Sequence, residues 1–406
     1  MSLISVENLN PHDISLREDV ASHRPEANAR KSVDAAASVR LDMVRGIAAI
    51  VVMIGHVRAL FFPAYVDLVA PTVGSRVLYA MTGFGHQAVI IFFVLSGYFI
   101  GASVLRMVKS DRWSWRVYSV HRAVRLWIVL VPALMIGAAF DWIGMKTQNA
   151  ASTYFVPVRF LSNIAFATRF TTQNFFGNLF YLQAIRTDMF GSNGPLWSLS
   201  YEFWYYVLFP LSLFALAARV RSPIRVLFAL AACGVLWFVG SPIALDYLIW
   251  FAGVGVFLLS GQWSGFAPSK QRIVQALSWA TFIGSLAWIR VSKGTQESVG
   301  DFVLAAAFSV WMIANLPARA KIGPVYESLA RSLAGFSYTL YLTHFPLLAL
   351  LRATLNPAGS WPTDVRHWTL AGALAIGCLA FAFLIASFTE AKTATVRTFV
   401  LSRLTP

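Results

Sequence analysis

Ten runs of this chain are apolar along most of their length, at about 43–62, 86–106, 123–143, 202–219, 224–240, 243–260, 273–290, 299–316, 333–351 and 368–390. A helix needs about 20 mainly apolar residues to cross the hydrocarbon core of a bilayer. Several runs are at the short end, and the fifth and sixth are parted only by Ser241-Pro242. Inside lipid every backbone N–H and C=O must find a partner within the protein, so such runs fold as helices. The expected fold is therefore all-α: a polytopic membrane helix bundle of about ten transmembrane helices.

Composition agrees. Of 406 residues, 57% are hydrophobic and 13% charged, against about 25% charged in soluble domains. A soluble enzyme and a disordered chain are excluded. Two cysteines, Cys233 and Cys378, do not make a disulfide scaffold. Each lies in an apolar run without a neighbour at metal-ligand spacing, so both are read as small packing residues and no metal site is expected.

The net charge of +15 would point to nucleic acid in a soluble protein. Here orientation explains it, and no nucleic-acid partner is expected. With the N-terminus inside, 23 of the 33 Lys and Arg fall in inner segments, as the positive-inside rule requires. Both termini are then cytoplasmic. Residues 1–40 lack the hydrophobic centre of a signal peptide and read as a disordered cytoplasmic tail. Residues 41–395 form one transmembrane domain, and 396–406 a short cytoplasmic tail. The loop 144–201 holds two apolar pieces, FVPVRFLSNIAF and NFFGNLFYLQAI. They are too short to span and read as re-entrant or interfacial segments.

Ionisable groups in apolar runs are costly, and so they are the informative residues. Arg45 and His56 stand eleven residues apart in the first run, about 20° from one helix face and about 16 Å apart along the axis. Arg45 alone reads as an interfacial anchor, and His56 alone equally as an interhelical hydrogen-bonding residue. Together they align a cationic entry with a buried base. Arg122 and Arg125, at i and i+3, share a face. They are either positive-inside anchors or a guanidinium pair suited to phosphate. Glu202 is expected at the outer entrance of its helix, among Trp197, Tyr201, Trp204, Tyr205 and Tyr206. It would orient an imidazole or bind a sugar hydroxyl, while the aromatics read mainly as an interfacial belt. His344 precedes Pro346 in FSYTLYLTHFPLL, where proline frees backbone carbonyls, so a structural role is as natural as a chemical one. Ser96 and Gly97 in FFVLSGYFIG most simply allow close helix packing.

These strings carry a family resemblance. An Arg, ten residues and a His follow LD in the first helix. FFVLSGY, an Arg-x-x-Arg, PLWSLSYEFWYY and YTLYLTHFP come after it in that order, over about residues 40–390. The sequence resembles the acyltransferase-3 family of bacterial integral-membrane O-acyltransferases, which acylate hydroxyls of surface polysaccharides, lipopolysaccharide and other exported glycans. The resemblance implies a ten-helix core in the bacterial inner membrane and acyl-coenzyme A, usually acetyl, as donor. It makes His56 the catalytic histidine, as base or acyl carrier, and Arg45 its partner. Arg122 and Arg125 become donor-binding residues. Glu202 joins the catalytic set, with Ser96, Trp197, Ser200, Tyr338 and His344 as substrate or structural candidates. The implied partners are a carbohydrate or glycolipid acceptor and membrane lipids. Many members carry two adjacent glutamates after SLS-x, where this chain has Glu202 and Phe203. Some carry a fused SGNH-type domain, which this chain lacks, so it either completes the transfer itself or hands the acyl group to a separate periplasmic transferase. The competing reading is a secondary transporter or flippase for a glycan or lipid. Against it, the sequence shows neither repeated halves nor matched broken helices.

Overall fold

The structure, a computed structural model, describes residues 11–147, 150–158, 161–218, 220–260, 268–292, 297–316, 322–356 and 360–404. Long helices occupy every one of the ten apolar runs. They are α1 (Pro11–Phe61), α3 (Gly85–Lys109), α4 (Trp115–Gly144), α7 (Trp197–Leu216), α8 (Ser222–Leu259), α9 (Pro268–Val291), α10 (Glu297–Asn315), α11 (Pro324–Leu355) and α12 (Val365–Phe388), with α8 covering two runs. Short helices α2 (Val73–Met81), α5 (Ala151–Tyr154) and α6 (Thr172–Leu179) fill connections, and α13 (Thr393–Leu404) closes the chain. No β-strand occurs among the described residues.

Among the described residues, eight stretches are long and apolar enough to cross a membrane. The difference from ten has two physical sources. The helix α9 is 24 residues long but carries Gln275, Ser278, Thr281 and Ser285 and is not among the eight. And α8 counts once although it is broken. Gly240 has φ 81° and ψ 170°, a backbone open mainly to glycine, and Pro242 follows it. The break thus falls one residue before the expected Ser241-Pro242.

The two arms of α8 lie antiparallel. On α7, Phe214 packs on Phe228 and Trp204 on Phe238, so the first arm runs against α7. Tyr205 packs on Tyr247 and Phe209 on Phe251, so the second arm runs with it.

Residues 11–40, expected as a disordered tail, continue α1. Their Ala, Arg, Glu and Lys are good helix formers, and they extend a helix already nucleated by the bundle. The first ten residues of that tail lie outside the described residues. Cys378 is buried, as a packing residue should be, but Cys233 is exposed on the outer face of α8. An apolar run that faces outward does not bury its small residues.

The core is continuous over two regions. One joins α1, α3, α4, α7, α8 and α10, and the other joins α1, α11 and α12 with the 145–170 segment. Glycines set the closest approach: a Cβ on Gly97 would overlap the Trp250 carbonyl, and one on Gly253 the Val94 carbonyl. The sequence-based reading of Ser96-Gly97 as a packing notch is correct for Gly97, whereas Ser96 does more.

The 144–201 connection does not span. Buried Asp141 accepts from the Ser192 backbone N–H at 2.7 Å and its hydroxyl at 2.6 Å. Asn178 donates to the Asp188 carbonyl and accepts from Phe190 N–H. Trp127 donates to the Leu179 carbonyl. Trp204 donates to the Tyr181 carbonyl and Asn193 to the Leu342 carbonyl, so the described part of the segment is tied to α4, α7 and α11 by hydrogen bonds that pair several of its backbone groups.

Candidate active site

Six residues singled out from the sequence meet in one place. Arg45 from α1, Ser96 from α3, Arg122 and Arg125 from α4, Glu202 from α7 and Tyr338 from α11 line a single cavity of about 190 Å³. Its remaining wall is largely apolar, including Val89, Phe92, Phe93 and Leu199.

The cations differ in how they are held. Arg125 lies 3.5 Å from Glu390 Oε1 and over the Tyr338 ring at 5.6 Å. Arg45 lies 3.3 Å from Asp42 and donates to the Ala334 carbonyl at 3.2 Å. Arg122 has no carboxylate within salt-bridge distance among the described residues. Its guanidinium lies over Tyr118 at 5.6 Å and Tyr206 at 5.8 Å. The Nε atoms of both Arg45 and Arg122 are buried without a hydrogen-bond partner. Buried donors normally have one, and both arginines line the cavity, so its wall carries positive charge that suits an anion.

The carboxylate in the cavity is fixed by hydroxyls. Tyr206 and Ser96 both donate to Glu202 Oε1, Ser96 at 3.2 Å, and Trp250 Nε1–H donates to Ser96 Oγ at 3.1 Å. The expectation that Glu202 stands at an outer rim is corrected here. The segment before α7 is itself buried, with Asn193 3% and Leu196 0% exposed, so α7 begins inside the bundle and delivers Glu202 to the arginines. Nor does Glu202 contact an imidazole. Phe203, at the position of the second family glutamate, stacks on Tyr181 at 4.3 Å and 9° and turns away from the cavity.

His56 is not in the cavity lining. It meets His344 instead: His56 Nδ1 and His344 Nε2 are 2.8 Å apart, with the rings edge to edge and near one plane, centroids 5.1 Å apart at 18°. Phe345 meets His56 edge-on at 5.0 Å. Tyr341 connects the two places. It lines the cavity, and its ring centroid is 6.2 Å from that of His344. Arg45 and His56 thus belong to neighbouring compartments on α1 that share one tyrosine wall.

Trp197 and Ser200 lie outside both. Trp197 packs on His86, Phe93 and Tyr201, and buried Ser200 bonds back to the Trp197 carbonyl. Sequence reasoning missed Glu390, buried with Oε2 accepting from both the backbone N–H and the hydroxyl of Thr339 at 3.1 Å. The available signal was its place at the end of the tenth run, a carboxylate among inner-face cations. Tyr206, read as belt, and Tyr341 were missed as well, since helical spacing does not show which of several aromatics faces inward.

A second cavity, about 380 Å³, is bounded by Ser38, Leu41, Tyr98, Ser103 and Arg106. Phe99 belongs to the walls of both cavities. Among the described residues no three His, Cys, Asp or Glu side chains gather as a metal ion would need.

A cationic cavity and a buried histidine pair thus lie side by side within a bundle whose helices are long and apolar enough to cross a membrane. Comparison with protein families gives the class: the acyltransferase domain family (acyltransferase 3) matches residues 38–387. The chain belongs to that family and is an acyltransferase of the membrane. No curated protein and no solved structure matches it.

Proposed function

We propose that this protein moves an acyl group, most simply acetyl, from a coenzyme A thioester to a hydroxyl of a cell-surface or exported carbohydrate, in the bacterial inner membrane. One observation supports the donor assignment: Arg45, Arg122 and Arg125 converge on a single cavity, and Arg122 there has no carboxylate partner among the described residues. Anionic phosphates suit paired guanidinium donors. The cavity is too small for a whole nucleotide thioester, and the larger space beyond Phe99, beside Arg106, suits the bulk of the donor. The thiol arm then runs between the arginines toward Tyr341 and the histidine pair.

His56 is the reacting base. A neutral imidazole is available near neutral pH because its ordinary pKa is about 6.5. It takes the proton of the acceptor hydroxyl, or carries the acyl group as an acyl-imidazole. Glu202, held by Tyr206 and Ser96, keeps its second oxygen for the donor arm or a sugar hydroxyl. A carbohydrate or glycolipid acceptor reaches the pair from the opposite face.

The test is transfer of labelled acetyl from acetyl-coenzyme A to glycan in membranes holding the protein. His56→Ala is expected to abolish it with insertion unchanged. Deletion of the protein should remove one O-acetyl class from the surface glycans. Undiminished transfer by His56→Ala would overturn the assignment.

A further inference from the structure

The histidine pair holds more information than proximity. His344 Nδ1 lies 2.8 Å from the Leu340 carbonyl oxygen. A carbonyl only accepts, so Nδ1 of His344 carries hydrogen. Neither ring bonds a carboxylate among the described residues, and His344 is 1% exposed. Its neutral ring then presents Nε2 as a lone pair. That lone pair faces His56 Nδ1 at 2.8 Å, so His56 must donate from Nδ1. In a neutral imidazole the other nitrogen is then bare. The hydrogen-bond chain, read from the backbone outward, assigns Nε2 of His56 as the free base.

The turn that carries His344 is also held. Pro346 has no N–H, so the Leu342 carbonyl lacks its helical donor. The Asn193 side-chain amide supplies one at 2.9 Å. Tyr341 is tied through its hydroxyl to Ser198 at 2.7 Å and to the Pro195 carbonyl at 3.1 Å. A side chain whose preceding turn is held this way can set the orientation of a partner ring, as second-sphere groups do for reactive histidines.

We propose that His344 is a positioning residue that locks His56 in the Nδ1–H tautomer, leaving Nε2 as the only atom that accepts the acceptor proton. The inference rests on the reading of His56 as the reacting base. In the step, Nε2 takes the hydroxyl proton as the sugar oxygen bonds to the acyl carbon. The imidazolium formed is steadied by its Nδ1–H donating to His344. The carbon–sulfur bond then breaks, and Nε2 returns its proton to the thiolate. Ester and free thiol leave, and both rings regain their starting tautomers.

The test uses the full-length protein in lipid. Nitrogen-15 solid-state NMR on histidine-labelled protein, with His56 assigned by loss of signals in His56→Gln, is expected to show a protonated Nδ1 and a bare Nε2. His344→Leu keeps bulk and removes the acceptor. Its kcat should fall about 100-fold, the range for losing a correctly set acid–base group, with the donor KM within twofold. His344→Gln restores an acceptor oxygen near the old Nε2 and should recover at least tenfold. An Nε2–H signal for His56 in the wild-type protein overturns the proposal, and that measurement stands even if His344→Leu fails to fold. Wild-type turnover by His344→Leu while His56→Ala is dead overturns this inference alone. Full turnover by His56→Ala removes the base assignment and this inference with it.

Discussion

Arg122 shows how much one side chain is asked to do. It stacks over two tyrosines and has no carboxylate partner among the described residues, so its charge is uncommitted. Lysine keeps the charge but loses the planar fork and the stacking. A charge-assisted hydrogen bond contributes about 1.5–3 kcal/mol, or roughly 10–100-fold in affinity. Arg122→Gln is therefore expected to raise the donor KM by about that factor with a smaller change in kcat, and Arg122→Lys should recover only part. Steady-state kinetics with acyl-coenzyme A varied decides it. Glu390 works differently, since it spends one oxygen on Thr339 and the other near Arg125. Glu390→Gln leaves Arg125 uncompensated. The side chain of Arg125 is 35% exposed, so screening holds the cost to about 1–2 kcal/mol. A lowered unfolding temperature in detergent is the expected readout.

At the scale of elements, the bundle depends on backbone contact between α3 and the second arm of α8. Gly97 and Gly253 make that contact, and a Cβ at either would overlap a carbonyl oxygen across the interface. Gly97→Ala and Gly253→Ala should each force the helices apart and lower the yield of folded protein. Gly255, two residues from Gly253, has open space and should accept alanine without loss. Recovery after detergent extraction and size-exclusion chromatography checks all three. The same seam shows what could be read without coordinates. The apolar runs, the glycine notch and the cavity arginines were legible because each follows from local spacing or from the cost of charge in lipid. The His56–His344 pair was not, because the residues are 288 positions apart and only the packing of α1 on α11 joins them. Glu202 was misplaced for a related reason: sequence marks where a helix begins along the chain, but not that its start is buried.

For the whole molecule the open quantity is the number of crossings, and α8 decides it. A straight helix of 38 residues would be about 57 Å long, nearly twice the hydrocarbon thickness of about 30 Å. Its break at Gly240 leaves two arms that each match that thickness, and the ring contacts along α7 run in opposite order on the two arms. The arms thus form a hairpin, and the prediction is that it enters and leaves the membrane from one side. With α9 added, the prediction is ten crossings and both ends of the chain on one side of the membrane. Single cysteines test this in a background where Cys233 and Cys378 are alanine. An impermeant thiol reagent outside intact cells should label Ser241→Cys. Ser222→Cys, Ser260→Cys and Ser402→Cys should react only after the membrane is opened. If α8 instead crosses once, Ser222→Cys and Ser260→Cys fall on opposite sides. The arginines facing the cavity and the basic ends of the later helices would then no longer share one face.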